Sequence, residues 1–145
     1  MTAKRIEAVL RPASVAVVGA SDTPGSIGEV LCRNLREGGF RGPVFYVNPL
    51  HATIGDELSY PDVRSLPQTV DVAIVATPPP TLPTVLEHCG ERGVRGAIIV
   101  SAGFREGGEA GAAWERSMLQ VARRYGLRLL GPNSFGVIRT DNGFN

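Results

Sequence analysis

The chain is constrained most by a short apolar run that leads directly into a glycine-rich segment. The run Val15–Val18 is followed at residues 19–28 by GASDTPGSIG. Apolar residues then recur at helical spacing, at Ile27, Val30, Leu31 and Leu35. This order predicts a buried strand, a turn and the start of a helix. At such a turn, backbone N–H groups and the positive end of the helix dipole can hold a phosphate.

The turn differs from the usual dinucleotide-binding fingerprint. Its first two glycines, Gly19 and Gly25, are too far apart for that pattern. NAD sites also prefer an acidic residue about 20 positions after the last glycine, where it holds a ribose hydroxyl. Here that position reads Asn48-Pro49. The sequence therefore predicts a phosphate-bearing ligand other than NAD.

Composition excludes several classes of partner. The 145 residues are 43% hydrophobic and 20% charged, as in an ordinary globular domain with a sizeable core. The net charge is +1 and the basic residues are scattered, so no nucleic-acid partner is expected. No apolar run approaches the ~20 residues of a membrane span, and residues 1–7 lack the apolar region of a signal peptide. No membrane partner is expected either.

Strand-like and helix-like segments alternate along the chain. Short apolar runs predict parallel strands buried on both faces, at 15–18, 44–47, 72–76, 97–100 and 127–130. Amphipathic segments predict helices at about 26–38, 81–92 and 109–125, each followed by a glycine that can end it. A further short helix is expected within residues 1–12. Residues 53–67 read as a long crossover with at most a short edge strand and a turn of helix.

This alternation predicts an α/β fold, Rossmann-like and doubly wound, with a mainly parallel sheet and helices on both faces. The last helix is expected to bury one face, formed by Ala110, Trp114, Met118, Val121 and Tyr125. Cys32 and Cys89 fall at core-facing helical positions and need no disulfide, which fits a cytoplasmic location. We interpret residues 1–145 as one domain, the N-terminal fragment of a longer multidomain protein.

In such folds, ligands bind beyond the carboxyl ends of the strands. Five loops are expected to meet there, at residues 19–28, 48–51, 77–80, 101–108 and 131–136. All are rich in Gly, Pro, Ser, Thr and Asn, which hold defined backbone shapes without side-chain bulk. One such loop could serve only as a turn, but five at one edge favour a binding surface.

Six short motifs lie along the chain: Val17-Val18-Gly19-Ala20-Ser21, Gly38-Gly39-Phe40, Val47-Asn48-Pro49, Thr77-Pro78-Pro79, Ser101-Ala102-Gly103-Phe104 and Gly131-Pro132-Asn133. In order and spacing they resemble the CoA-binding domain of ADP-forming acyl-CoA synthetases. The α subunit of succinyl-CoA synthetase is a more distant relative, and protein lysine acetyltransferases fused to such a region share the motifs.

The resemblance implies that the chain binds CoA or acyl-CoA, as the N-terminal domain of an ADP-forming acyl-CoA synthetase or of a related protein acetyltransferase. Residues 19–28 would wrap the CoA phosphates, Thr77-Pro78-Pro79 would pack against the adenine or ribose, and residues 101–108 and 131–136 would border the acyl group and thiol. The implied binding residues are Gly19, Ala20, Ser21, Thr23, Gly25, Ser26, Ile27, Gly28, Asn48, Pro49, His51, Thr77, Pro78, Pro79, Ser101, Gly103 and Asn133.

One position departs from the family. Its members often carry a lysine directly after Asn-Pro, where the charge can meet a CoA phosphate. Here that residue is Leu50, followed by His51. His51 could take the lysine's place when protonated, although imidazole is a weaker cation at neutral pH.

No catalytic or metal-binding residue is predicted. The phosphorylated histidine of the synthetases belongs to the next domain, and neither His51 nor His88 matches it. The chain alone is therefore not expected to be active, and its partners would be further synthetase-like domains of the same chain or of a partner subunit. No P-loop Lys-Ser/Thr is present, so ATP binding is not expected. The alternatives are a free-standing CoA-binding regulatory protein and an NAD(P)-binding dehydrogenase domain.

Overall fold

Seven strands form one sheet in the computed structural model, which describes residues 2–145. The strands are β1 (Val15–Val18), β2 (Val44–Val47), β3 (Thr53–Ile54), β4 (Glu57–Tyr60), β5 (Val72–Val75), β6 (Gly96–Ile99) and β7 (Arg128–Leu130). The helices are α1 (Thr2–Leu10), α2 (Ile27–Glu37), α3 (Leu82–Glu91) and α4 (Glu109–Tyr125). Short 3₁₀ turns lie at Val63–Ser65, Pro79–Thr81 and Arg105–Gly107.

The order of the strands across the sheet is β3-β4-β2-β1-β5-β6-β7. All neighbours pair in parallel except β3 and β4, which are antiparallel. The chain runs outward from β1 through β2 to β4, then returns to β5 on the other side of β1. The strand order thus reverses between β1 and β5, where open α/β sheets leave a crevice for ligands. This confirms the predicted Rossmann-like fold.

Helices cover both faces of the sheet. Val15 and Val17 of β1 are buried in one apolar cluster with residues of α1 and α2, while Ala16 and Val18 are buried in another with residues of α3 and α4. This alternation follows from the two-residue period of a strand. Both cysteines are free and buried. Burial raises the pKa of Cys89 to about 12, so its thiol behaves as an apolar group.

The crossover at residues 53–67 contains more strand than predicted. Strands β3 and β4 form a hairpin whose turn begins at Gly55, with a left-handed φ of +59°. Strand β4 then pairs in parallel with β2. The hairpin buries Ile54 against the sheet but leaves Leu58 exposed, so it gives only a weak apolar signal in the sequence.

Three apolar residues that were expected in helix faces toward the core are exposed instead, namely Ile27, Ala110 and Trp114. Ile27 is 58% exposed and Trp114 is 37% exposed. The first turns of α2 and α4 approach the sheet loops through glycines: a Cβ on Gly28 would collide with the Gly19 carbonyl, and one on Gly111 with backbone atoms of Phe104. Because Gly28 occupies the closest approach of α2, the side chain of the adjacent Ile27 faces solvent.

Residues 139–144 pack against the amino end of the sheet. Phe144 is buried, and its ring centroid lies 5.8 Å from that of Phe40. Asp141 accepts hydrogen bonds from Arg11 at 2.7 Å and from Arg139 at 2.8 Å. No helix within residues 2–145 has the length and apolar character needed to cross a membrane.

We predict that Leu86→Ala lowers the free energy of unfolding by about 3 kcal/mol. Leu86 lies fully buried on the inner face of α3, and truncating its side chain leaves a cavity. Leu50→Ala is the matched control, since Leu50 is 84% exposed. Chemical denaturation of both variants measures the difference. Equal losses in the two variants would contradict this assignment of the core.

Asp141 should make the protein sensitive to acid. The hydrogen bond from Arg139, with the charges of Arg139 and Arg11, holds the pKa of Asp141 at about 2. The folded pKa is depressed, so this contribution to stability is complete above the unfolded value of about 3.9 and is lost as the pH falls toward about 2. Asp141→Asn should remove that part of the pH dependence, measured by urea denaturation. An unchanged acid profile would show that the ion pair does not hold the segment.

Candidate functional site

The loops after β1 and β5 meet where the strand order reverses. Gly19 has a φ of +90°, and a Cβ at this position would lie 3.2 Å from both the Ala76 carbonyl carbon and Thr77 Cγ2. Only glycine therefore suits this contact, both for its backbone angle and for its space. The contact brings residues 19–28 against residues 76–77 at the carboxyl ends of the central strands.

Hydroxyl groups within residues 19–28 hold the loop itself. The Ser26 hydroxyl accepts from the Glu29 amide at 3.2 Å, which caps α2, and donates to the Thr23 carbonyl at 2.8 Å. The Ser21 hydroxyl accepts from the Thr23 amide at 3.0 Å. Of the three hydroxyl groups within residues 19–28, only that of exposed Thr23 has no hydrogen-bond partner among residues 2–145.

The start of α2 presents unpaired donors. Within the part of the chain that the structure describes, the amide N–H groups of Gly25, Ile27 and Gly28 have no acceptor. They lie in the turn that leads into α2 and in its first residues, where the helix dipole is positive. Backbone N–H groups in this arrangement form an anion site suited to phosphate.

We call the loops after β1 and β2, together with the β3–β4 hairpin, the β1–β2 rim. The Asn48 side chain donates to the Ala20 carbonyl at 2.9 Å and accepts from the Leu50 amide at 2.8 Å. The Asp22 carboxylate accepts from the Gly55 amide at 3.1 Å. Because both the donor and the acceptor of its side-chain amide bind backbone groups, Asn48 holds the loop after β2 against the turn after β1. Pro49 and His51 follow it on the exposed surface.

The loops after β5, β6 and β7 form a second unit, the β5–β7 rim. The Ser101 hydroxyl donates to the Thr77 carbonyl at 2.6 Å, and the Ser101 carbonyl accepts from the Asn133 amide at 2.9 Å. Pro79 packs beside Gly103, where an added Cβ would lie 3.2 Å from the Pro79 ring. Three loops are thus joined along the strand ends.

The two rims differ in chemistry. Pro78, Pro79 and Pro80 have no N–H group, so the loop that leads into α3 offers ring surfaces in place of donors. The next loop carries a carboxylate, Glu106, which accepts from the Gly103 amide at 2.6 Å. The β1–β2 rim therefore suits the phosphates of a ligand, and the β5–β7 rim suits its uncharged parts.

The titratable side chains Glu106, His51 and His88 lie in three separate elements. The hydrogen bond from the Gly103 amide lowers the pKa of Glu106, which stays charged and braces its loop. His88 lies on α3 with its ring nitrogen 2.7 Å from the Arg64 guanidinium, and His51 is exposed. Among residues 2–145, no cluster of three or more His, Cys, Asp or Glu side chains could hold a metal ion.

The predicted site residues all lie on the two rims, and their contacts with a ligand remain predictions. The structure adds two residues that sequence reasoning missed. Asp22 ties the turn after β1 to the hairpin. Phe135 follows Asn133 on the β5–β7 rim and is the most exposed large apolar residue that the structure describes. Phe135 could have been noticed in the sequence, because it is a large apolar residue within a loop otherwise made of Gly, Pro, Asn and Ser.

Comparison with known protein families gives a match to a CoA binding domain over residues 13–140. The chain is 45% identical over 133 residues to acetate–CoA ligase (ADP-forming) II of Archaeoglobus fulgidus, covering 92% of this chain and 20% of the ligase. It is 42% identical over 144 residues to the α subunit of acetate–CoA ligase (ADP-forming) I of Pyrococcus furiosus, covering 97% of this chain and 31% of the subunit. The chain thus spans a fifth to a third of these relatives.

Solved structures of similar proteins match nearly the whole chain. The dinucleotide-forming acetyl-coenzyme A synthetase 1 of Ca. Korarchaeum cryptofilum matches with a TM-score of 0.88 at 36% identity, covering 95% of this chain and 30% of that one. A protein of Pyrococcus horikoshii OT3 matches with a TM-score of 0.90 at 34% identity, covering 97% of this chain and 32% of that one.

Proposed function

Because the chain belongs to the family of CoA binding domains, we propose that it binds coenzyme A or acyl-CoA at the carboxyl edge of its sheet. The observation that carries the proposal is the set of unpaired amides at Gly25, Ile27 and Gly28. They offer a pyrophosphate several donors on a rigid turn, with the helix dipole behind them.

The chemistry of the two rims supports a division of the ligand between them. The phosphates would lie on the β1–β2 rim, near the start of α2, with the exposed Thr23 hydroxyl and His51 within the same loops. The uncharged parts would lie along the β5–β7 rim, against the rings of Pro78 and Pro79. Ser21, Ser26, Asn48 and Ser101 would act through the loops that they brace.

The same edge argues against a nicotinamide dinucleotide. A ribose of NAD would need a carboxylate at the end of β2. Asn48 occupies that place, and both polar atoms of its side chain are already bound to the backbone. No guanidinium lies in residues 48–51 to hold the additional phosphate of NADP.

We further propose that the chain acts as the CoA-binding part of an ADP-forming acyl-CoA synthetase. Relatives over nearly the whole chain are ADP-forming ligases for acetate and, in Nitrosopumilus maritimus, for 4-hydroxybutyrate. In this role the chain would hold CoA so that its thiol meets an acyl group activated by further domains or a partner subunit. This chain alone would form no acyl-CoA, because nucleophilic catalysis needs a nucleophile beside a base and neither cysteine is accessible.

The first test compares ligands. Isothermal titration of the 145-residue chain with CoA, NAD⁺, NADP⁺ and ATP should show the tightest binding for CoA. Its pyrophosphate would occupy the α2 start, while its uncharged arm fits the proline-lined rim. Binding of NAD⁺ more tightly than CoA would overturn the proposal.

A second test removes one donor without disturbing the helix. Ile27 is the first residue of α2, a position where proline is well tolerated, and Ser26 before it is already extended, with a ψ of 153°. Ile27→Pro should therefore stay folded while losing one N–H group. A hydrogen bond to a charged group contributes about 1.5–3 kcal/mol, so the affinity for CoA should fall at least about tenfold.

Ile27→Ala is the matched control, because it removes the same exposed side chain but keeps the amide. Its affinity should stay within about threefold of the parent value. Circular dichroism and thermal unfolding establish that both variants are folded. Equal affinities for the proline and alanine variants would exclude this amide from the site.

A further inference from the structure

The ring of Phe135 stands free in solvent on the β5–β7 rim. Its relative exposure is 106%, the largest among the apolar residues that the structure describes. A single exposed apolar side chain is ordinary on a protein surface. Phe135 differs because its backbone is held firmly and because it lies at the ligand-binding edge.

Hydrogen bonds fix the loop on both sides of Phe135. The Ser134 amide donates to the Ile99 carbonyl at 3.1 Å, and the Gly136 amide donates to the Ser134 hydroxyl at 3.0 Å. Asn133 adopts a left-handed φ of +54°, alone among the non-glycine residues described by the structure. The backbone that carries the ring is thus held in one place, and the ring stays exposed although burial of such a side chain would stabilise the fold.

The distance across the sheet matches the length of the CoA arm. Strands β1, β5, β6 and β7 are successive neighbours, so three strand spacings, about 14 Å, separate the turn after β1 from the loop after β7. A pantetheine arm reaches about as far as four extended residues, roughly 13 Å. With the pyrophosphate at the start of α2, an arm laid along the β5–β7 rim ends near Phe135.

Resting on the proposed function, we infer that Phe135 contacts the acyl group of bound acyl-CoA and favours apolar acyl groups over acetyl. An exposed aromatic ring can take a second ring by stacking or an alkyl chain by apolar contact. An acetyl group is too small to cover it.

The charges around the ring agree with an uncharged acyl group. Residues 131–136 carry no charged side chain. The one cation of residues 101–108 is Arg105, which is paired with Glu115 at 3.0 Å. Glu106 in the same loop is an anion bound to the Gly103 amide. A dicarboxylic acyl group would find no free cation on this rim.

The experiment is a titration of the 145-residue chain with CoA, acetyl-CoA and phenylacetyl-CoA. We expect phenylacetyl-CoA to bind about fivefold or more tightly than acetyl-CoA. Phe135→Ala should abolish this preference and leave the affinity for CoA within about twofold. Phe135→Leu should keep part of the preference. Ile138→Ala, which removes another exposed apolar side chain, is the control and should keep all of it.

The outcomes separate the two proposals. If CoA itself does not bind, the proposed function fails and this inference fails with it. If CoA binds but the parent chain shows no preference for phenylacetyl-CoA, only the inference is overturned. The same holds if the preference survives in Phe135→Ala. Because Phe135 is fully exposed, its substitution should not unfold the chain, and thermal unfolding checks this directly.

Discussion

The close contact between the start of α2 and the turn after β1 is the constraint on which the site depends. Gly28 lies so near the Gly19 carbonyl that no side chain fits between them. This contact sets the position of the helix start relative to the crevice between β1 and β5. The unpaired amides of the first helical turn are consequently held at the strand ends, where a phosphate can reach them.

Polar side chains at this edge stabilise backbone shape. Ser21, Ser26, Asn48 and Ser101 each bind a backbone group of their own or a neighbouring loop. Five loops are thereby braced into two rims. The groups left for a ligand are backbone amides, proline rings, the Thr23 hydroxyl, His51 and one exposed aromatic ring. A surface ordered before the ligand arrives loses little conformational entropy on binding.

The rims also hold few free cations. Arg105 is paired with Glu115, and His51 is the other basic side chain of the five loops. Recognition of an anionic ligand would therefore rest on amides and a helix dipole, whose positions are fixed by the fold, more than on mobile charged side chains. This explains how a domain of net charge +1 could bind a highly charged cofactor.

The sequence by itself determined the elements whose signal is local. Buried strands such as Val72–Val75 appear as continuous apolar runs, and glycines such as Gly126 mark helix ends. From these the fold class and the sheet edge at which the five loops meet could be predicted. The hairpin at 53–60 gave a weak signal, because its two short strands are stabilised by pairing with β2 rather than by their own composition.

Tertiary structure alone decided the role of individual side chains. Ile27 and Trp114 have helical apolar spacing, yet both are exposed. Ile27 faces solvent because the adjacent Gly28 takes the closest approach to the turn after β1. Asn48 and Ser101 are predicted from sequence to contact the ligand, and the structure adds that each also donates a hydrogen bond to a backbone carbonyl, 28 and 24 residues away. Periodicity records which residues are apolar and how they are spaced. Whether an apolar side chain packs on the sheet or faces solvent, and which backbone group a polar side chain binds, depends on distances that are set only when the chain is folded.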